Sequence, residues 1–169
     1  MSEYENRWFR VVREDRWYWI EQSPGTAGAA VLPVSETSVI LQRHSRASQG
    51  WSETVEIPRG LCESGEDEAT CALRELAEET GLILPAERLH PLGHMRPDTG
   101  LLSSRVALFW ADYGGITPSR PRDDEACDVF ELLHSDLFEW LRANRIEDGL
   151  ALACIVRWIL DAPERLSVA

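Results

Sequence analysis

The sequence contains no lysine, and all 17 of its basic residues are arginine. Acidic residues number 29, which gives the chain a formal net charge of −12. Non-specific binding to nucleic acid or to an anionic membrane requires a positively charged surface. We therefore expect neither nucleic acid nor a membrane among the partners of this protein.

Cysteine is scarce, and long apolar runs are missing. The four cysteines include no C-x-x-C pair, so neither a disulfide framework nor a zinc site is expected. The most apolar run, residues 150–160, contains Arg157 and falls well short of the roughly 20 apolar residues that a helix needs to cross a bilayer. Residues 1–7 begin acidic and have no apolar stretch typical of a secretory signal. These features predict a cytoplasmic protein with reduced thiols.

The length and composition predict a globular fold. A chain of 169 residues with a 44% hydrophobic fraction can bury a substantial core. Runs rich in aromatic and β-branched residues at 8–13 and 17–22 predict an N-terminal β-hairpin. We expect residues 1–24 to form this extension and residues 25–169 to form the main domain.

The order of elements in the main domain predicts its fold class. Strands are expected at residues 29–34, 38–43, 54–57, 89–94, 105–111 and 129–133. Helices are expected at residues 66–80, from a cap at Ser135 to about 143, and at about 148–160. Strands, a central helix, more strands and then helices predict an α+β fold, an α/β/α sandwich with a mixed sheet.

Three glutamates of the central helix predict a metal site. Glu75, Glu78 and Glu79 are spaced i, i+3 and i+4, so they share one helix face and repel one another. A hard divalent cation removes that repulsion, and Mg²⁺ or Mn²⁺ fits best. Arg74 can hold a carboxylate in the orientation that a metal needs, and Gly60 predicts a tight turn whose carbonyls could complete the coordination shell. The alternative is that a Glu-rich helix face is solvated surface.

Residues 60–82 resemble the Nudix box, G-x5-E-x7-R-E-U-x-E-E-x-G-U, at every defined position. The matching residues are Gly60, Glu66, Arg74, Glu75, Leu76, Glu78, Glu79, Gly81 and Leu82. The resemblance implies a Nudix hydrolase with a sandwich fold, which would use Mg²⁺ or Mn²⁺ to hydrolyse the pyrophosphate bond of a nucleoside diphosphate linked to another moiety.

The same resemblance implies roles for individual residues of the box. The implied metal ligands are Glu75, Glu79, Glu78 and the backbone carbonyl of Arg59. Glu78 is also an implied catalytic residue that ligates or supports a second ion, and Arg74 would act by orienting Glu75. The implied supporting residues are Gly60, Glu66 and Gly81.

The general base is implied to lie outside the box. In sandwiches of the ADP-ribose pyrophosphatase type, the base resembles an acidic residue in a loop that follows the box, and the matching loop here is residues 119–125. A general base must reach the attacking water within hydrogen-bond distance. We favour Glu125, followed by Asp124, as this catalytic residue. The alternative is that these acids belong to a solvated loop.

Three further features are similar to ADP-ribose and nucleotide-sugar pyrophosphatases. A strand that ends in Arg46 is followed by residues 56–60, Glu-Ile-Pro-Arg-Gly, before the box. Pro97 lies beyond the box where ADP-ribose hydrolases tend to have a proline, and residues 145–151 are similar to their C-terminal segment. The resemblance implies that Arg46 clamps a phosphate, that Glu56 helps near the metal and that Pro97 contacts substrate. The alternatives are a surface arginine and a turn proline.

The implied substrate is ADP-ribose, cleaved to AMP and ribose 5-phosphate. A nucleotide sugar, a nucleoside triphosphate or a non-catalytic nucleotide-sensing role are the alternatives. The N-terminal hairpin resembles the small extra sheet by which this subgroup dimerises, so a homodimer is expected. Trp17 and Trp19 share one strand face, and we expect them in a buried core, with adenine stacking or a dimer contact as alternatives.

Overall fold

The computed structural model describes residues 2–22, 27–117 and 128–161. The strands in these ranges are β1 (Ser2–Glu5), β2 (Phe9–Glu14), β3 (Trp17–Gln22), β4 (Ala27–Val34), β5 (Ser38–Ser45), β6 (Glu53–Glu56), β7 (Arg59–Leu61), β8 (Leu89–Met95), β9 (Arg105–Asp112) and β10 (Asp128–Leu133). The α-helices are α1 (Glu68–Thr80), α2 (His134–Arg142) and α3 (Gly149–Asp161). Within the described ranges, no helix has the length and apolar character needed to span a membrane.

The strands form two sheets. β1, β2 and β3 make a small antiparallel sheet at the N-terminus. The other seven form a mixed sheet in the order β10-β5-β4-β9-β8, with β6 beside β5 and β7 beside β4. β4 and β9 are parallel, and the remaining pairs are antiparallel. The predicted mixed sheet is therefore present.

Helices cover both faces of the seven-stranded sheet. The central strand β4 carries no charged residue, and its side chains alternate between two cores because successive residues of a strand point to opposite faces. Val31 packs in the core that contains Leu76 of α1. Leu32 packs in the core that contains Ile155 of α3, on the opposite face. This arrangement confirms the predicted α/β/α sandwich.

Helix α1 begins two residues later than the predicted start at residue 66. Asp67 has extended backbone angles, and its carboxylate accepts hydrogen bonds from two backbone N–H groups of the first turn. An aspartate in this position satisfies donors that have no partner within the helix, so the helix begins at Glu68. The end is as predicted, because Gly81 adopts a left-handed conformation with φ 76° and closes the helix.

The start of α2 differs from the prediction, whereas that of α3 agrees with it. Ser135 does not cap α2, which begins at His134, because the Ser135 hydroxyl bonds the Asp136 carboxylate within the first turn. For α3 the carboxylate of Asp148 accepts a hydrogen bond from a backbone N–H of the first turn, and the helix begins at Gly149. Asp148 is thus the residue outside the helix that stabilises its start.

The N-terminal extension has three strands, where the sequence predicts a hairpin of two. β1 was missed because its SEYE sequence has no alternating apolar pattern. The edge of β3 is joined to the loop before β9, since the Ile20 N–H donates to the Leu101 carbonyl at 2.7 Å and the Ser103 N–H donates to the Ile20 carbonyl at 3.0 Å. The loop therefore ties the small sheet to the main domain.

The expectation that Trp17 lies in a buried core is wrong. Trp17 is 65% exposed, and Trp19 of the same strand face is part-buried, with its Nε1–H donating to Glu21. The physical reason is that β1–β3 form a separate sheet, so the large sheet and its helices do not cover the end of β3 where Trp17 lies.

Candidate active site

Arg74 forms hydrogen bonds to three carboxylates at the surface of α1. Its Nε–H and Nη2–H donate to the two oxygens of Glu66, both at 3.0 Å, which is a bidentate pair. Its Nη1–H donates to Glu75 at 2.8 Å and to Glu78 at 2.9 Å. The sequence predicts that Arg74 orients Glu75. The structure places Arg74 in contact with Glu66 and Glu78 as well.

The electrostatic environment differs among these carboxylates. The hydrogen bonds from Arg74 hold the pKa of Glu66 below its usual value. Burial raises the pKa of Glu75, although its hydrogen bond with Arg74 opposes that rise. The carboxylates in turn raise the pKa of Arg74, with the hydrogen bonds to Glu66 as the largest cause. The guanidinium therefore stays charged at any physiological pH.

Glu75, Glu78 and Glu79 form an acidic ridge on α1, and Glu79 is the most enclosed of these three ridge glutamates, with 6% of the residue exposed. Its Oε2 accepts hydrogen bonds from Gln42 Nε2 at 2.7 Å and from the backbone N–H of Arg59 at 3.2 Å. Burial raises the pKa of Glu79 to about 7, and the charge of Glu75 adds to the rise, whereas the two N–H donors oppose it. A carboxylate in this setting gains from a cation more than a solvated one does.

Gly60 lies in strand β7 and not in the predicted tight turn. It is the register partner of Ala29 on β4. A Cβ at this position would collide with the carboxylate of Glu75. The reason for glycine is therefore space for Glu75, which packs directly over the backbone of β7. The acidic face of α1 therefore contacts strand β7 at Gly60.

The donor set of this region fits a hard divalent cation. Glu66, Glu75, Glu78 and Glu79 with Arg74 amount to four carboxylates against one guanidinium, a net charge of −3 when all are ionised. Carboxylate oxygens are the ligands that Mg²⁺ and Mn²⁺ prefer. Within the residues that the structure describes, no three acidic, histidine or cysteine side chains are arranged so that they could hold a metal ion together. The carboxylates are instead directed to Arg74 and Gln42.

A cleft of about 690 Å³ adjoins this acidic face at Gly60. Predicted site residues from three segments line it, namely Arg46, Glu56, Arg59, Gly60 and Pro97. Gln22 of the N-terminal sheet and Asp148 at the start of α3 line it as well. The sequence features assigned to substrate therefore share one cavity beside the predicted metal ligands.

Two arginines in the cleft share one buried carboxylate. Arg46 donates from Nε and Nη2 to both oxygens of Glu56, at 3.2 and 2.7 Å, and Arg59 Nη2 donates to the same residue at 2.8 Å. Glu56 is 2% exposed, and the two arginines and the Thr54 hydroxyl lower its pKa to about 2, although burial opposes this. Arg59 also pairs with Asp148 at 3.3 Å. Glu56 thus fixes both guanidinium groups at the cleft wall.

Sequence reasoning missed two residues that the structure brings to the site. Gln42 had a detectable signal, because it is a polar residue directly after the apolar run Val-Ile-Leu of β5. Asp148 was assigned only to the start of a helix, and its pairing with Arg59 depends on tertiary packing. The predicted base residues Glu125 and Asp124 lie outside the described residues, so their positions stay a prediction.

Comparisons with known proteins agree with this site. A family model described as NUDIX domain matches residues 24–154. The chain is 32% identical to an ADP-sugar pyrophosphatase of Mus musculus over 132 residues, which cover 73% of this chain and 60% of that protein. It is 28% identical to an ADP-ribose pyrophosphatase of Bacillus subtilis over 132 residues, which cover 77% and 69%. A methanol dehydrogenase activator of Bacillus methanolicus is 26% identical over 140 residues, with 80% and 72% covered.

The fold and the site define an α+β sandwich with an acidic helix beside a cleft that contains arginine. Because the NUDIX match covers more than half of the chain, this protein belongs to the Nudix family. The prediction of a Nudix pyrophosphohydrolase that resembles the ADP-ribose and nucleotide-sugar pyrophosphatases is confirmed. The alignments span 60% of the mouse protein and 69% of the Bacillus subtilis protein.

Proposed function

We propose that this protein uses Mg²⁺ or Mn²⁺ to hydrolyse the pyrophosphate bond of a nucleoside diphosphate linked to another moiety. ADP-ribose is the proposed substrate, with AMP and ribose 5-phosphate as products. The observation that carries this proposal is the junction at Gly60, where the acidic face of α1 meets a cleft lined by Arg46 and Arg59.

The proposed metal ligands are Glu75, Glu79, Glu78 and the carbonyl of Arg59. A bound divalent cation would neutralise the phosphate oxygens and lower the pKa of a coordinated water. Arg74 holds Glu75 and Glu78 through the same Nη1, so it keeps two of the donors side by side. Glu66 fixes the guanidinium from the other edge and keeps Arg74 in that position.

The arginines of the cleft support binding of a diphosphate. Arg46 commits Nε and Nη2 to Glu56 and remains 40% exposed, and no hydrogen bond of its Nη1 to a described residue is seen. A phosphate oxygen could therefore accept from Nη1 while the guanidinium stays fixed. Glu56 and Asp148 balance the charges of Arg46 and Arg59, so the arginines offer directed N–H donors to an anion and no net positive charge.

ADP-ribose is preferred because relatives named for ADP-ribose and ADP-sugars align with this chain over 132 residues each. An ADP-sugar is the second candidate, on the same grounds. We further propose Glu125 or Asp124 as the general base that accepts a proton from the attacking water. A homodimer formed through the N-terminal sheet and a cytoplasmic location complete the proposal.

The test is a substrate panel assayed with Mg²⁺ and with Mn²⁺. ADP-ribose, an ADP-hexose, NADH and a nucleoside triphosphate should each be incubated with the enzyme, and the products resolved by chromatography. We expect AMP and ribose 5-phosphate from ADP-ribose, and no turnover with a chelator. Preference for the triphosphate would contradict the proposed substrate class. Tight binding of ADP-ribose without turnover would favour a nucleotide-sensing role.

A further inference from the structure

Gln42 is a polar side chain in a fully buried position. It lies on β5 opposite Glu56 of β6, its residue exposure is 0%, and it follows Leu41, which is also fully buried. Burying a carboxamide is unfavourable unless each of its polar atoms finds a partner. A stable fold would therefore favour an apolar residue here unless the amide has a function.

The amide of Gln42 is only half satisfied by the part of the chain that the structure describes. Its Nε2 donates to Glu79 Oε2 at 2.7 Å. Its Oε1 is buried and accepts no hydrogen bond from a described residue. The reversed amide would direct Oε1 at the carboxylate, where two acceptors repel each other, so the hydrogen bond to Glu79 fixes the orientation. The Oε1 atom without a partner and the Nε2 atom that bonds Glu79 therefore belong to the same carboxamide group of Gln42.

The hydrogen bonds to Glu79 leave one of its oxygens available. Gln42 and the backbone N–H of Arg59 both donate to Oε2, and no described residue donates to Oε1. Both donors are neutral, whereas Glu75 and Glu78 are held by the charged Arg74. The Glu79 carboxylate is therefore fixed through Oε2, and its Oε1 has no donor among the described residues. That combination suits a carboxylate that coordinates a cation through one atom.

We propose that Gln42 is a positioning residue that orients the Glu79 carboxylate toward a divalent cation. This inference rests on the proposed metal-dependent function. It accounts for a buried amide that directly follows the apolar residues 39–41 of β5.

The experiment measures Mn²⁺ binding to the full chain without substrate, by isothermal titration and electron paramagnetic resonance. Gln42→Met keeps the side-chain length and removes both hydrogen-bonding atoms. We expect its Mn²⁺ dissociation constant to rise by about 10-fold or more, because replacing a residue that hydrogen-bonds a metal ligand typically weakens metal binding by that factor. The metal-free Gln42→Met protein should be as stable toward urea as the metal-free wild type, because the variant removes a buried amide that has only one of its polar atoms paired. A purely structural role gives the reverse result, with lower stability and unchanged affinity, and would overturn the proposal.

Two further variants keep the inference testable. Leu41→Met, on the opposite face of the same strand, is the matched control and should bind Mn²⁺ like the wild type. If Gln42→Met does not fold, Gln42→Asn keeps the amide but is too short to reach Glu79, and the same loss of affinity is expected. Combining Gln42→Met with Glu79→Gln should cost no more affinity than Glu79→Gln alone, because Gln42 acts through Glu79.

The outcomes for the two proposals are distinguishable. If the wild type binds no Mn²⁺, the proposed metal-dependent function fails and the role of Gln42 fails with it. If the wild type binds Mn²⁺ and Gln42→Met binds it equally well, the proposed function stands and the positioning role of Gln42 is overturned.

Discussion

Glu79 is the ridge glutamate held by neutral donors, so its charge can be removed with little effect on its surroundings. In Glu79→Gln the side-chain oxygen can still accept from Gln42 and Arg59, and the fold should persist. Because the variant removes a proposed metal ligand, we expect kcat to fall by at least about 100-fold in saturating Mg²⁺. Glu87→Gln, at an exposed glutamate, is the control and should keep full activity. Full activity of Glu79→Gln would contradict the assignment of this ligand.

The replacement of Gly60 is the subject of a second prediction at the scale of one residue. A methyl group there collides with the Glu75 carboxylate, so Gly60→Ala must displace Glu75 or the backbone of β7. The atoms that the methyl group meets are the end of the flexible Glu75 side chain, so we expect weaker Mn²⁺ binding with a loss of less than about 1 kcal/mol in the free energy of unfolding, measured in urea. Gly149→Ala is the matched control, because nothing lies within 4 Å of its added Cβ, and its Mn²⁺ affinity should equal that of the wild type. Equal Mn²⁺ binding by the two variants would contradict the close packing of Glu75 at Gly60.

The pKa of Glu56 predicts acid sensitivity. Its folded-state pKa of about 2 is below the ordinary 4.5, so its charge stabilises the fold above pH 4.5 and this contribution is lost as the pH falls toward 2. The shift corresponds to roughly 3 kcal/mol. We expect Glu56→Gln to be less stable than the wild type at pH 6, with the gap in unfolding free energy narrowing by pH 3. A gap that does not change with pH would contradict the assigned pKa.

The box residues could be predicted from the sequence because helical spacing alone places Glu75, Glu78 and Glu79 on one face. The contacts across the sheet could not. Gln42 reaches Glu79 only because β5 runs beneath α1, and that register is a property of the assembled sheet. The reason for Gly60 was likewise hidden, since a glycine after a proline is typical of a turn and the neighbouring carboxylate comes from a different element.

At the scale of elements, the start of α1 depends on Asp67. Its carboxylate caps two backbone N–H groups, so Asp67→Ala should lower the free energy of unfolding by about 1 kcal/mol in urea. Asp67→Asn is the matched control, because asparagine caps a helix about as well, and it should stay within about 0.5 kcal/mol of the wild type. If both variants lost the same stability, charge and not capping would be the cause.

The sequence predicted the type of most elements and misplaced several of their ends. Apolar periodicity identified six of the seven strands of the main sheet and the three helices, because buried faces impose a period on the chain. β1 and β7 were missed, since both are short and lack an alternating apolar pattern. The start of α2 was misplaced because Ser135 bonds its neighbour Asp136 instead of the backbone, and no sequence pattern distinguishes the two arrangements.

At the scale of the whole molecule, the N-terminal sheet carries aromatic side chains that the main domain does not cover. Tyr4, Trp8 and Trp17 are 56%, 59% and 65% exposed. Arg7 lies over the ring of Trp8 at 4.4 Å, and Arg16 lies over that of Trp17 at 5.2 Å. Large exposed aromatic groups with arginine beside them are typical of protein–protein interfaces. This surface therefore supports the proposed homodimer.

The dimer prediction can be tested with one tryptophan inside this sheet and one outside it. Sedimentation of the wild type should give twice the chain mass, and Trp17→Ser should weaken dimerisation by about 10-fold or more, because buried tryptophans contribute strongly at interfaces. Trp51→Ser is the matched control, since Trp51 is 70% exposed but lies between β5 and β6. Its dimer constant should equal that of the wild type. A wild type that sediments as one chain up to about 100 μM would contradict the proposed dimer. Equal weakening of dimerisation by both variants would contradict an interface at the N-terminal sheet, because only Trp17 belongs to that sheet.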